Sequence, residues 1–369
     1  MEKMFKRTLL GAAVATAAFA TSVNAYEIGQ NNDFSVEVYG VAAISAVNYD
    51  QETDGADKST GVQFENESRI GFRAGKEMFE NIEVFMQIES GYVDSWQKGE
   101  LGARDTFIGL RGDWGKVRFG RMLTPMYEVI DWPYANPGLG ASWDWGGDVK
   151  YNRDRHSNTV RYDSAAIGNL TYNVAAGRGD TSVDGNYWVG GGAHYRVADA
   201  VTFHAAFESE SDRQVSASSA AGYDWVDADD DPSTVPTWGA VAAKDAVMTD
   251  TFGYLVGFEA SLPAGFGISG AFKSGESDVQ GGEKSTQDSF SLIGQYWNGP
   301  VGVKLGYTAN QDSKTGSVTN DDDDSITSAQ VMYVKNGFVP YVRVAKRDIK
   351  DKDGEHDIFV VRVGLEYGF

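Results

Sequence analysis

Phe359-Val360-Val361-Arg362-Val363-Gly364-Leu365-Glu366-Tyr367-Gly368-Phe369 is the stretch on which the fold turns. Phe359, Val361, Val363, Leu365, Tyr367 and Phe369 are apolar, and between them lie Val360, Arg362, Gly364, Glu366 and Gly368. Successive side chains of a strand point to opposite faces. The segment is therefore a ribbon with one greasy face and one face that is mostly small or charged. A soluble sandwich could use such a strand, burying the first face and wetting the second. The rest of the chain narrows the choice.

Lys3, Lys6 and Arg7 make a basic start, Leu9 to Ala20 an apolar segment too short to span a bilayer, and Val23-Asn24-Ala25 a small-x-Ala cleavage site. Residues 1–25 read as a signal peptide and residues 26–369 as one barrel domain. Cleavage leaves 344 residues and takes the formal charge from −21 to −23. Nothing after Ala25 offers the ~18 consecutive apolar residues of a transmembrane helix. Mean hydropathy is −0.36, yet 12% of residues are aromatic and 44 are Gly. A water-filled barrel has this composition, because its lumen face is polar and its lipid face is not. The absence of Cys removes disulfides and thiolate chemistry.

Strand candidates recur with alternating short and long connections. Val36–Tyr49 and Phe64–Lys76 flank an acidic loop, a turn at Glu77–Glu80 leads to Asn81–Tyr92, and Arg104–Gly112 turns at Asp113-Trp114-Gly115 into Lys116–Arg121. Further short turns fall at Ala165–Asn169, Val197–Asp199, Pro263–Gly265, Asn298–Pro300 and Lys335–Gly337, each with Gly, Pro, Asn or Asp. Long connections are expected at Gly177–Gly185, Ser209–Thr249, Ser274–Gln287, Gln311–Ser325 and Arg347–Glu355. Seven short turns and eight long loops make sixteen strands, the even number of an antiparallel barrel with both termini on one side. The expected fold is all-β, a transmembrane antiparallel β-barrel.

Arg104-Asp-Thr-Phe-Ile-Gly-Leu-Arg-Gly-Asp-Trp-Gly-Lys-Val-Arg-Phe-Gly-Arg121, followed by Thr124-Pro125, resembles the general diffusion porins of Gram-negative outer membranes. Ser68-Arg69-Ile70-Gly71-Phe72 is similar to their second strand, Val38-Tyr39-Gly40 to their first, and Arg155–Tyr162 to the strand after their third loop. The terminal Phe369 resembles the residue read by the barrel-assembly machinery in that family. The resemblance implies an outer-membrane location, contact with lipid and lipopolysaccharide, a homotrimer, and passive passage of ions and small hydrophilic solutes. It also implies a third loop folded inward, with wall arginines facing loop carboxylates across a constriction.

Carried over by position, the basic wall is Arg69, Arg104 and Arg155 (or Arg153). Strand parity adds Arg73 beside Arg69 and Arg161 beside Arg155. The third loop, Met122–Asp154, offers Glu128, Asp131, Asp144 and Asp148 among Pro125, Pro133, Pro137, Gly138 and Gly140. The family's Pro-Glu-Phe-Gly-Gly-Asp signature is absent, and Val41 stands where some relatives carry a wall lysine. Trp132, Trp143 and Trp145 could narrow the constriction or stack on sugar faces, which leaves a substrate-specific oligosaccharide channel as the alternative to general diffusion. The bland reading of those tryptophans is packing of the loop against the wall.

Two acidic clusters, Asp321–Asp324 and Asp227–Asp231, fall in expected external loops. Carboxylate clusters suit Mg2+ or Ca2+, but solvated acidic loops are the plainer reading and no metal site is assigned. The net negative charge should enrich cations at the mouth and give mild cation selectivity. An enzyme is disfavoured. His156 and Ser157 are adjacent and so point to opposite faces of a strand, and no G-x-S-x-G elbow occurs. No catalytic residue, cofactor or nucleic-acid partner is assigned.

Overall fold

The computed structural model describes residues 26–27, 35–53, 56–92, 99–135, 142–144, 147–179, 182–216, 222–226, 237–241, 245–351 and 354–369. The signal peptide, Pro137, Gly138, Gly140, Trp145 and the Asp227–Asp231 cluster lie outside them.

Sixteen antiparallel strands close into a barrel. They are β1 Ser35–Thr53, β2 Arg69–Phe79, β3 Ile82–Ser90, β4 Leu101–Gly112, β5 Gly115–Leu123, β6 Arg155–Ser164, β7 Leu170–Arg178 and β8 Tyr187–Ala198. They continue as β9 Val201–Ser216, β10 Val247–Ser261, β11 Phe266–Val279, β12 Lys284–Asn298, β13 Val301–Asn310, β14 Asp324–Tyr333, β15 Phe338–Asp351 and β16 Gly354–Gly368. A short piece, Gln63–Asn66, pairs with β1 just ahead of β2.

The seam is the pairing of β16 with β1, which runs in register from Val41↔Gly368 to Thr53↔His356. It is finished by the reciprocal bonds Phe369 N–H to Gly40 O and Gly40 N–H to Phe369 O, both 3.0 Å. A Cβ at Gly40 would lie 2.7 Å from the Phe369 ring, so this glycine lets the last side chain lie flat on the first strand.

Parity in β16 follows the sequence reading. Phe359, Val363, Leu365 and Tyr367 are exposed on the outside, while Val360 and Arg362 are buried inside. Ile44, Ile70, Ile108, Phe119, Val160 and Phe203 extend the exposed apolar band over other strands. Such a surface is stable against hydrocarbon, where a closed ladder leaves no backbone group unpaired.

The seven short turns fall where the turn residues put them. At the β14–β15 turn Asn336 and Gly337 both have positive φ, 51° and 79°, as a two-residue hairpin requires. The opposite end differs from expectation. Ser274–Gln287 and Arg347–Glu355 are mostly strand, since β11 reaches Val279 before β12 starts at Lys284, and β15 reaches Asp351 before β16 starts at Gly354. Polar side chains do not interrupt a backbone ladder, and here they pair across it: Lys284 with Glu276 at 2.7 Å and Lys346 with Asp357 at 2.9 Å. Within Gln311–Ser325, Asp324 begins β14 and holds Arg347 at 2.6 Å. Asp321 and Asp323 pair with Lys350.

The apolar core sits inside the barrel. It joins Met126, Tyr127, Val129, Ile130, Tyr134, Trp143, Val149 and Tyr151 of the third loop to Ala206, Leu255 and Ala271 of the wall. The loop is folded inward, as expected.

Candidate functional site: the third loop and the wall it faces

The loop is pinched at its neck and then held along its length. Thr124 N–H donates to Asp154 O at 2.9 Å, and its hydroxyl donates to Arg153 O at 3.1 Å. The same hydroxyl accepts Tyr127 N–H at 3.1 Å, capping the short helix α1, Pro125–Asp131. The apolar residues of α1 face the inner surface of β8, β9 and β10.

Beyond α1 the loop backbone is satisfied by wall side chains. Ser291 Oγ donates to Tyr134 O at 2.6 Å, Lys273 Nζ to Trp143 O at 2.5 Å and Asn310 Nδ2 to Ser142 O at 2.7 Å. Irregular backbone inside a barrel needs such partners. Glycines in the wall make room for loop rings. A Cβ at Gly275 or Gly253 would lie 2.1 and 2.3 Å from the Tyr151 ring, and one at Gly257 2.3 Å from the Tyr134 hydroxyl. Burying a large apolar side chain contributes roughly 1.5–3 kcal/mol, so these rings hold the loop in place.

The arginines of the barrel wall lie beside the neck and the helix of the loop. Arg161 Nη2 meets Glu128 Oε2 at 2.5 Å and Asp163 Oδ1 at 2.8 Å, while its Nη1 donates to Leu123 O at 2.9 Å. Arg118 shares Asp163 at 2.8 Å. Arg155 is buried between Asp105 at 2.6 Å and Asp154 at 3.0 Å. Arg153 pairs instead with Glu210 at 3.0 Å. Arg104 pairs with Glu89 at 2.5 Å and lies over the Tyr92 ring. Arg69 meets the same ring, with Nη1 3.5 Å from the Tyr92 hydroxyl. Arg73 sits lower, against the face of Tyr39 at 3.8 Å and 4.0 Å from Glu37.

The loop carboxylates divide. Glu128 touches the wall through Arg161. Asp131 lies in the field of Arg69, Arg104 and Arg155; burial raises its pKa and those three arginines oppose the rise. Asp144 does not face the arginines. It is buried in the docking face near Lys273, and burial with the like charge of Asp131 pushes its pKa well up. Asp148 lies at the surface beside Asp322, away from the arginines, and partial desolvation together with that like-charged neighbour raises its pKa. Both are set apart because the loop runs on past α1 along the wall, and spacing in sequence does not show where it turns.

Trp143 is buried and donates Nε1–H to Ile130 O at 3.0 Å, so it packs the loop. Trp132 is half-buried, with Lys304 Nζ 4.4 Å from its ring centre. Sequence reasoning missed Tyr92, Glu89, Asp105, Lys273, Tyr134 and Tyr151. A usable signal was present for part of this set: Gly253, Gly257 and Gly275 stand at inward positions of apolar strands, which marks a close approach.

Residues 9–337 match the Gram-negative porin family. A chitoporin from Vibrio furnissii is 54% identical over the whole of both chains. A monosaccharide porin from Halomonas is 28% identical over 53% of this chain and 57% of its own. Among solved structures, the anion-selective porin of Comamonas acidovorans superposes with a TM-score of 0.67 at 15% identity, covering 91% of this chain and all of that one. OmpT of Vibrio cholerae does so with the same score and identity, covering 93% and 100%. The inward third loop, the lipid-suited outer face and these likenesses agree, and the chain belongs to the Gram-negative porin family, as a channel protein of the outer membrane.

Proposed function

We propose that this porin is a substrate-specific channel for neutral sugar oligomers of the chitin type rather than a general diffusion pore. The observation that carries the reading is the end-to-end 54% identity with a chitoporin. The constriction supports it. Arg104, Arg155 and Arg161 are each matched by a carboxylate, so the wall presents no strong single-sign field. Such a field suits small ions, whereas a charge-balanced wall suits neutral hydroxyl- and amide-rich solutes. Tyr92 and the half-buried Trp132 add flat faces on which sugar rings stack.

The basic wall of Arg69, Arg73, Arg104, Arg155 and Arg161 facing Glu128 and Asp131 is the proposed selectivity element, with mild cation preference from the net charge. By likeness to a trimer form of Vibrio cholerae OmpT, we propose a homotrimer. We further propose that Phe369 is read by the assembly machinery and that the apolar band contacts lipid and lipopolysaccharide.

The test is planar-bilayer conductance with oligomers of N-acetylglucosamine and of glucose of equal length. Block by the first and not the second, weakened in Trp132→Ala, is expected. Equal passage of both without block would return the protein to general diffusion.

A further inference from the structure

His194 on β8 and His204 on β9 are directly opposed in the ladder. They share the inward face with Ala206, beneath the third loop. Their Nδ1 atoms are 2.8 Å apart and their rings lie at 69°. Two imidazole lone pairs do not face each other at that distance with nothing between them. Either one Nδ1 carries a proton to the other or both point at a third atom.

The surroundings favour a third atom. His204 Nε2 is buried, has no hydrogen-bond partner among the described residues, and lies 3.7 Å from Glu259 Oε1 on β10. A carboxylate behind the outer nitrogen is the arrangement that orients a metal-bound imidazole. Tyr134 of the loop meets the His204 ring edge-on at 5.9 Å. The charged groups facing the pair are Glu259 on β10, Glu128 on α1 and Arg161 on β6, two negative and one positive.

We propose that His194 and His204 form a cross-strand chelate for a borderline divalent transition metal, with Zn2+ as the probe. Tetrahedral Zn2+ at about 2.0–2.1 Å from each nitrogen sets the nitrogens about 3.3 Å apart. The rings reach that spacing by parting about 0.5 Å through small side-chain rotations. The sheet fixes both backbones, so little ordering remains to be done on binding. The remaining coordination positions would be filled by water. A bound dication here sits against Tyr134, on the wall that seats the loop, and opposes cation flow past it.

The full-length protein, refolded into a planar bilayer, is titrated with Zn2+ near neutral pH. The expected result is a fall in single-channel conductance that EDTA reverses. His194→Asn and His204→Asn should each raise the half-effective concentration by about tenfold or more, while His356→Asn at the rim should not. Block of unchanged potency in both variants would overturn the proposal, because it places the ion elsewhere. Should the Asn variants fail to refold, equilibrium dialysis of the wild-type protein decides. One Zn2+ held per chain in an excess of Mg2+, which occupies carboxylate clusters in preference to imidazoles, supports the site, and no bound Zn2+ under those conditions rejects it.

Discussion

Arg161 of the barrel wall and Glu128 of the third-loop helix meet at 2.5 Å, the guanidinium almost wholly buried and the carboxylate about one-third exposed. Arg161 also binds Leu123 O at the neck of the loop. It therefore works as a clasp between wall and loop, and its charge is not free to a passing solute. Glu128→Gln should weaken the clasp by about 1 kcal/mol, since the acid is partly screened. The expected sign is more frequent flicker of the open channel at unchanged mean conductance. A quiet trace identical to wild type would remove the clasp role.

Tyr151 lies in a trough whose floor is Gly253 and Gly275. Gly275→Ala should push the ring out and unseat the loop, raising single-channel conductance and lowering the temperature at which the loop comes free. Combining it with Tyr151→Ala should restore part of the wild-type conductance, because the added methyl then meets no ring. Failure of the double variant to recover would mean that the strand, not the loop, was disturbed.

Arg69 has Tyr92 as its near neighbour and no carboxylate within 4 Å among the described residues. Its charge is therefore not offset by a close carboxylate. Arg69→Ala should shift the cation-to-anion permeability ratio upward by about twofold or more, the scale of one partly screened charge a few ångströms from the path. The reversal potential in a salt gradient reads this directly, and an unchanged value would take Arg69 out of the constriction.

Burial raises the pKa of Asp131, against the pull of Arg69, Arg104 and Arg155. The sign is opposite to that of an ion-paired acid: proton uptake favours the docked loop, and ionisation opposes it. Cation selectivity should decline as pH falls through a range lying above the ordinary Asp value of about 4. Asp131→Asn should flatten that profile at the low-selectivity level. A midpoint at or below 4 would show that Asp131 is well hydrated.

The barrel was legible because its signals are local. Alternation in Phe359–Phe369 decides which face of β16 meets lipid, and Asn336-Gly337 decides where a hairpin turns. The upper strands were not legible, because Lys284, Glu276, Lys346 and Asp357 look like loop residues until their cross-strand pairing is seen. Half of the site was legible for the same reason. Strand parity places Arg69 and Arg161, and helix α1 carries Glu128 and Asp131 toward them. Asp144 and Asp148 lie on irregular backbone whose course is set by Lys273, Gln287 and Asn310, far away in sequence. The two histidines were passed over because their meaning lies only in their register.

The loop that narrows the channel is encoded between the fifth and sixth strands, yet its seat is built from the eighth to the thirteenth. Ser142 O waits for Asn310 and Tyr134 O for Ser291, separations of 168 and 157 residues. Contacts of such long range form late. The constriction therefore cannot form until the strands carrying Ser291 and Asn310 are in place. The selectivity of the finished channel waits on Tyr134 and Tyr151 reaching glycines of strands made long after the loop itself.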